Sequence, residues 1–136
     1  MAKGAKARTR AQATAAMRQQ LLRKQFYLIH MRPPAPMAEP LKDLARCFKE
    51  HLEWLRALEA RGVLFASGPI RDETGAWDGS GMAVVRAKSL AAAKRLAATE
   101  PFHRAGIRRN HVEGWQVNEG SYTITVRYMD RSFDIA

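Results

Sequence analysis

Short apolar runs and amphipathic segments alternate twice along this chain, and this pattern restricts its fold more than any other feature. Two strand–helix–strand units in tandem, βαββαβ, produce a ferredoxin-like antiparallel sheet with both helices on one face. The sequence therefore predicts an α+β fold of this type. In chain order the predicted strands are 26–31, 63–70, 81–87 and 112–117, and the predicted helices are 41–61 and 90–99.

Local signals support these boundaries. Gly62 stands where glycine commonly ends a helix, and Ser89 is a typical N-cap for the Ala-rich helix. Four prolines between residues 33 and 40 prevent a helix from following the first strand directly. Residues 72–80 contain two glycines among polar residues, which predicts a mobile loop.

The first and third predicted strands are apolar on both faces, although two helices cover only one face of a sheet. A second copy of the same sheet would cover the other face, so the sequence predicts a homodimer. Beyond Gly120, apolar and polar residues alternate from Tyr122 to Tyr128. This alternation predicts an extra C-terminal strand within residues 119–136, either at a sheet edge or as an exchanged arm.

The net charge of +10 is concentrated at the N-terminus. Residues 1–25 hold seven of the 23 basic residues and no acidic residue, which leaves 16 basic against 13 acidic residues in the body, or +3. Such a tail is typically disordered or a loose helix. A helix docked on a partner, a phosphate-binding arm and an organelle presequence without serines remain alternatives. The absence of aromatic residues before Phe26 argues against nucleic-acid binding.

The single cysteine, Cys47, excludes an internal disulfide and any multi-cysteine metal site. No apolar run approaches the ~20 residues that cross a bilayer, and the N-terminus has no hydrophobic signal core. None of the histidines stands at metal-ligand spacing with another. We therefore expect a cytoplasmic protein with no membrane association and no bound metal.

One histidine and one acid stand out by their positions. On a helical wheel His51 lies at the centre of the apolar stripe of the first helix, where an imidazole is either a hydrogen-bonded core residue or a functional group beside a cavity. The inward stripe of the second helix ends at Glu100, which could equally be an exposed residue at a helix end. If the two meet, they form the minimal pair for proton transfer.

The order and spacing of these residues resemble the YciI-like, or YCII-related, family over residues 26–118. The resemblance does not include residues 1–25 and is loose over 119–136. It rests on His51-Leu52, Trp54-Leu55, Leu58, Gly62-Val63-Leu64, Ala66-Ser67-Gly68-Pro69-Ile70, a Gly-containing loop, Gly81-Met82-Ala83-Val84-Val85, Ser89, Glu100-Pro101-Phe102 and Ala105-Gly106.

The resemblance implies a dimeric α+β barrel related to muconolactone isomerase, with a His–Asp pair. The family histidine falls on His51. The aspartate of the family's Asp-Pro-Phe motif falls on Glu100, which keeps the charge but adds one methylene. That change could displace the carboxylate by more than ~1 Å and weaken catalysis.

On this basis we expect a small-molecule enzyme that transfers protons without a cofactor, in an isomerase- or lyase-type reaction. His51 would act as base or acid, and Glu100 would orient its ring. A non-catalytic ligand-binding or regulatory module and a cofactor-free monooxygenase are the alternatives. The expected substrate-binding residues, each also explicable as a turn or core residue, are His30, Ser67, Gly68, Pro69 and Phe102, with Trp54 and Trp77 as further walls.

Overall fold

The computed structural model describes residues 7–135, which form two units. One unit is residues 25–116; the other is the described part of residues 1–24 and 117–136. A one-turn 3-10 helix, Ala45–Cys47, separates the second and third α-helices. In chain order the elements are α1 (Arg10–Gln19), β1 (Lys24–Arg32), α2 (Pro40–Asp43), α3 (Phe48–Ala60), β2 (Leu64–Arg71), β3 (Trp77–Val85), α4 (Leu90–Ala97), α5 (Pro101–Arg104), β4 (Arg109–Val117), β5 (Ile124–Arg127) and β6 (Ser132–Ile135).

The larger unit contains a four-stranded sheet in the order β2-β3-β1-β4. Strand β3 pairs antiparallel with both β1 and β2. Its Ala83 lies opposite Ile29 of β1 on one side and opposite Ser67 of β2 on the other. Two crossovers through helices place β1 and β3 at the centre, as a tandem βαβ arrangement requires. The predicted ferredoxin-like α+β fold is confirmed.

The hydrophobic core lies between one face of this sheet and the helices. Alternate residues of β1 point into it, and Leu58 of α3 packs there together with two alanines of α4. Helices α3 and α4 therefore lie on the same face of the sheet. The buried cluster consists of Tyr27, Ile29, Met31, Leu58, Ala83, Val85, Ala93, Ala97 and Val112.

The predicted helix over residues 41–61 is interrupted rather than continuous. Helix α2 ends at Asp43, a 3-10 turn follows Leu44, and α3 begins at Phe48. Helix α2 contacts β3, whereas α3 contacts β2 and α5, so the chain has to change direction between them. Leu44 is fully buried at this bend.

The predicted loop over residues 72–80 is also shorter than expected, because Trp77 to Ser80 already belong to β3. The Asp72 carboxylate accepts hydrogen bonds from the backbone amides of Thr74 and Ala76 and closes a tight turn. The hairpin then resumes with Arg71 opposite Trp77. This extension of β3 forms part of the candidate site described below.

The predicted ends of the other elements depend on local capping. Gly62 has a φ of +68°, and its amide bonds to the carbonyl of Glu59 at the end of α3. The Ser89 hydroxyl accepts from the amide of Ala92 and starts α4. These two caps determine where the chain leaves each helix for the sheet.

The smaller unit contains α1 and the antiparallel hairpin β5–β6. Helix α1 starts with a reciprocal capping box between Thr9 and Gln12, and none of its residues is buried. The single strand predicted near the C-terminus is instead a hairpin, whose turn has Arg131 at a φ of +50°. Residues 1–6 of the predicted tail lie outside the described residues. Within residues 7–135, no helix is both long and apolar enough to span a bilayer.

Candidate functional site

Glu100 occupies the N-cap of the short helix α5. Its Oε1 accepts from the amide of Phe102 at 3.1 Å, and its Oε2 accepts from the amide of His103 at 2.8 Å. Pro101 at the first helical position has no N–H to satisfy. The side chain of Glu100 is 0% exposed. The cap thus holds a fully buried carboxylate in one orientation.

His51, on the inward side of α3, meets this carboxylate directly. Its Nδ1 lies 2.6 Å from Oε1 of Glu100, and its side chain is 10% exposed. A carboxylate only accepts hydrogen bonds, so this network assigns the proton to Nδ1. Among residues 7–135, Nε2 of His51 has no hydrogen-bond partner and is the nitrogen available to a ligand.

The contacts around Glu100 favour its ionised form. Burial raises the pKa of this carboxyl, but the hydrogen bonds from His51, Phe102 and His103 together outweigh burial and hold the pKa below its ordinary value of 4.5. The carboxylate is therefore charged at neutral pH. A charged, immobile acceptor behind Nδ1 stabilises a proton that arrives on the imidazole.

Phe102 joins this pair to a buried cation. Its ring centre lies 4.6 Å from the centre of the His51 ring, and Cζ of Arg108 lies 4.7 Å from the same Phe102 centre. Such a distance is within the range of a cation–π interaction. Phe102 therefore fixes the imidazole and the guanidinium relative to each other.

Arg108 stands immediately before β4 and is only 4% exposed. Its Nε donates to the carbonyl of Gly79 at 2.7 Å. Burial lowers the pKa of the guanidinium, while the negative charges of Glu100 and Asp78 raise it. Arginine remains protonated in proteins, so the site contains a permanent positive charge.

A cavity of about 370 Å³ opens between α3, α5 and the edge strand β2. It brings together six of the predicted residues: His51, Ser67, Gly68, Pro69, Trp77 and Phe102. Glu100 supports His51 from behind without lining the cavity. The remaining lining residues are Met31, Phe48, Leu52, Leu55, Arg71, Gly81 and Arg108.

Two expected site residues lie elsewhere. His30 does not line this cavity, and its Nε2 bonds to Oε2 of Glu113 at 3.0 Å. Side chains alternate along a strand, so Met31 faces the helices and His30 the opposite face of the sheet. Trp54 does not line the cavity either, and its indole N–H donates to the Thr99 hydroxyl at 2.9 Å.

Sequence reasoning missed Arg108. The fourth strand was predicted to begin at Val112, but β4 begins at Arg109. Val112 belongs to the core, and stepping back two residues at a time from it reaches Asn110 and then Arg108 on the same side. Extending that alternation would have identified an inward-facing arginine. No cluster of three or more metal-ligating side chains occurs within residues 7–135.

The geometry suits proton transfer. An imidazole with Nδ1 held by a carboxylate and Nε2 free at a largely apolar cavity can accept a proton from a bound molecule and return it. The Ser67 hydroxyl and the Arg108 guanidinium supply polar groups to the same cavity.

Comparison with known proteins agrees with the fold. One similar solved structure is 5-chloro-2-hydroxyhydroquinone dehydrochlorinase (TftG) from Burkholderia phenoliruptrix AC1100, in complex with 2,5-dihydroxybenzoquinone. It is 22% identical, covers 66% of this chain and 92% of its own, and has a TM-score of 0.52, a likeness that shows the fold. No curated protein matches this chain. The YCII-related domain matches residues 26–116, more than half of the sequence, and the chain therefore belongs to the YCII-related family.

Proposed function

We propose that this protein is a small-molecule enzyme in which His51 and Glu100 carry out proton transfer, in an isomerase- or lyase-type reaction. The observation that supports this most directly is the 2.6 Å contact between Nδ1 of His51 and a fully buried carboxylate, at the wall of an apolar cavity. A histidine needed only for packing would not require a cavity beside its second nitrogen.

In the proposed reaction, Nε2 of His51 removes a proton from a carbon or hydroxyl of the substrate, and the C–H or O–H electron pair stays on the substrate. The resulting imidazolium is stabilised by the ionised Glu100. In an isomerisation the imidazolium returns the proton to another atom. In an elimination the electron pair expels a leaving group, and the proton is released afterwards.

The similar solved structure supports this reaction class. Its name describes a dehydrochlorinase, and loss of HCl combines proton removal with departure of chloride. Its ligand, 2,5-dihydroxybenzoquinone, is a single-ring molecule. A cavity of about 370 Å³ is within the size range of small-molecule sites and is large enough for a molecule of one ring.

We also propose that the protein acts as a homodimer through the face of the sheet opposite the helices. On that face Phe26 packs against Phe65 and Trp115, with ring centres 4.7 and 6.5 Å away. Phe65 and Trp115 remain 46% and 41% exposed. A second copy of this face would bury these aromatic rings, in the manner of a dimeric α+β barrel.

The test is turnover by His51→Gln, which keeps the size of the side chain but removes the base. With 5-chloro-2-hydroxyhydroquinone and a panel of lactones as probes, measured by chloride release and ultraviolet absorbance, we expect a loss of about 10²-fold or more. His111→Gln is the matched control, since that side chain is 73% exposed and does not line the cavity. Equal turnover by His51→Gln and the wild type would contradict the proposal. Ring-ligand binding without turnover would favour a binding module.

A second variant, Glu100→Asp, changes only the length of the carboxylate arm. Aspartate still caps α5, but it withdraws from Nδ1 of His51, which now sits at 2.6 Å. We expect turnover to fall about tenfold or more and the thermal midpoint to fall by a few degrees, because Nδ1 loses a close acceptor while the two cap hydrogen bonds remain. Higher turnover with Asp would instead show that the native Glu holds the pair in a weakened geometry.

A further inference from the structure

Arg108 is a buried cation without an anionic partner. Its guanidinium has five N–H donors, of which Nε is used by the carbonyl of Gly79. Within residues 7–135 no carboxylate lies within 4.0 Å of it. A charge removed from water needs compensation by hydrogen bonds or by an opposite charge. Here four of the five N–H donors of Arg108 have no partner within residues 7–135.

The unused donors lie at the cavity. Arg108 lines it. Its two terminal nitrogens have no hydrogen-bond partner within residues 7–135 and are not fully buried. The neighbouring Gly81 adds no side chain on this part of the wall, and a Cβ on it would be in ordinary contact with Nη1 at 3.7 Å. Because Arg108 itself lines the cavity, a ligand atom can approach its terminal nitrogens from there.

Two carboxylates influence Arg108 electrostatically but do not satisfy it. Glu100 already accepts from His51 and from two backbone amides, and Asp78 accepts from the amide of Ser80. Neither of them lines the cavity. The charged side chains that do line it are Arg71 and Arg108, both positive. The cavity wall thus offers positive charge and no negative charge.

We propose that the cavity binds a small organic acid whose carboxylate accepts hydrogen bonds from the terminal nitrogens of Arg108. A guanidinium presents its donors in a planar fork that matches the two oxygens of a carboxylate. This inference rests on the proposed function for its view of the cavity as a substrate site. It adds the chemical class of the substrate.

The position of Phe102 sets the reach of such a ligand. His51 and Arg108 each lie within 5 Å of the centre of the Phe102 ring, so their separation does not exceed the sum of the two distances. A molecule with one ring and one carboxylate spans such a gap. The remaining walls are largely apolar, through Met31, Leu55 and Trp77, and suit the ring itself.

The test compares benzoate with benzamide, which has nearly the same shape but no charge. Binding to the full chain is measured by NMR titration at fixed low ionic strength. We expect benzoate to bind wild-type protein about tenfold or more tightly than benzamide, since hydrogen bonds to a charged group contribute at least this much. This comparison needs no variant. Equal affinities would overturn the inference.

Variants then locate the charge. Arg108→Gln should weaken benzoate binding about tenfold or more and leave benzamide unchanged, whereas Arg108→Lys, which keeps the charge but loses the fork, should fall between. Arg109→Gln is the matched control, because this neighbouring arginine is exposed and does not line the cavity. Unchanged benzoate binding by Arg108→Gln, or an equal loss in Arg109→Gln, would refute the assignment.

The outcome is separable from that of the proposed function. His51→Gln should retain benzoate binding, because Arg108 holds the carboxylate. Arg108-dependent binding without any turnover would leave this inference intact and refute the enzyme. Turnover that depends on His51, combined with equal affinity for benzoate and benzamide, would do the reverse.

Discussion

Replacing Glu100 by Gln should destabilise the fold by a predictable amount at neutral pH. The carboxylate has two acceptor oxygens that serve three donors, namely Nδ1 of His51 and the amides of Phe102 and His103. Glutamine has one acceptor oxygen and one NH₂ group. In either orientation its NH₂ therefore faces a backbone N–H, which is left without an acceptor.

The expected cost is about 2 kcal/mol, the typical penalty for a buried donor without a partner. In a chain of this size that corresponds to a fall in thermal midpoint of roughly 7 °C. Glu113→Gln is the matched control. Glu113 also contacts a histidine, His30, at 3.0 Å, but its side chain is 56% exposed. An exposed pair of this type contributes between about 0 and 1 kcal/mol.

The penalty should depend on pH in a defined direction. The pKa of Glu100 in the folded protein lies below its ordinary value of 4.5, so the folded state binds fewer protons than the unfolded state under acidic conditions. The stabilisation is present above pH 4.5 and is lost as pH falls through the lower, folded pKa. The difference between wild type and Glu100→Gln should shrink over that range.

The assay is urea unfolding followed by tryptophan fluorescence between pH 3 and 8, at one protein concentration, because association would shift apparent stability. Glu100→Gln as stable as wild type at pH 7 would refute the assigned hydrogen bonds. A penalty that stays constant down to pH 3 would refute the ionised, buried carboxylate.

Two further predictions concern the rest of the chain. Trp115→Glu places a charge on the face of the sheet opposite the helices and should shift the protein from dimer to monomer in sedimentation equilibrium at micromolar concentration. A wild-type monomer, or a dimeric variant, would contradict the proposed interface. Removal of residues 1–23 should change the thermal midpoint by no more than a few degrees, because α1 has no buried residue; a large loss of stability in differential scanning calorimetry would show that this segment packs on the fold.

The sequence was sufficient for the fold, and it marked His51 and Glu100 as candidates whose pairing the family resemblance implies. The two apolar periods, 2 for strands and 3.6 for helices, specify βαββαβ, and the helical wheel turns His51 inward. The direct contact depends on α5, which was not predicted. Residues 101–104 are too short for a periodic signal, and only the capping geometry of Glu100 reveals that helix.

Other features depend on tertiary contacts that local patterns do not encode. The residue types over 41–61 favour a continuous helix. Its interruption therefore follows from a tertiary contact, that of α2 with β3. His30 was expected at the cavity, but whether it faces the helices depends on strand register. Arg108 stands among three arginines, and its burial could be recognised only by extending β4 toward its N-terminus.

The two walls of the cavity have unequal freedom to evolve. Residues 100–102 supply the carboxylate, the helix cap and the ring that contacts both His51 and Arg108, so a change there disturbs several interactions together. The opposite wall, Ser67 to Pro69, belongs to an edge strand and takes no part in these interactions. Substitutions at Ser67 can therefore alter which molecules fit while the proton-transfer pair remains unchanged. Descendants of this protein with new substrates should differ first along β2.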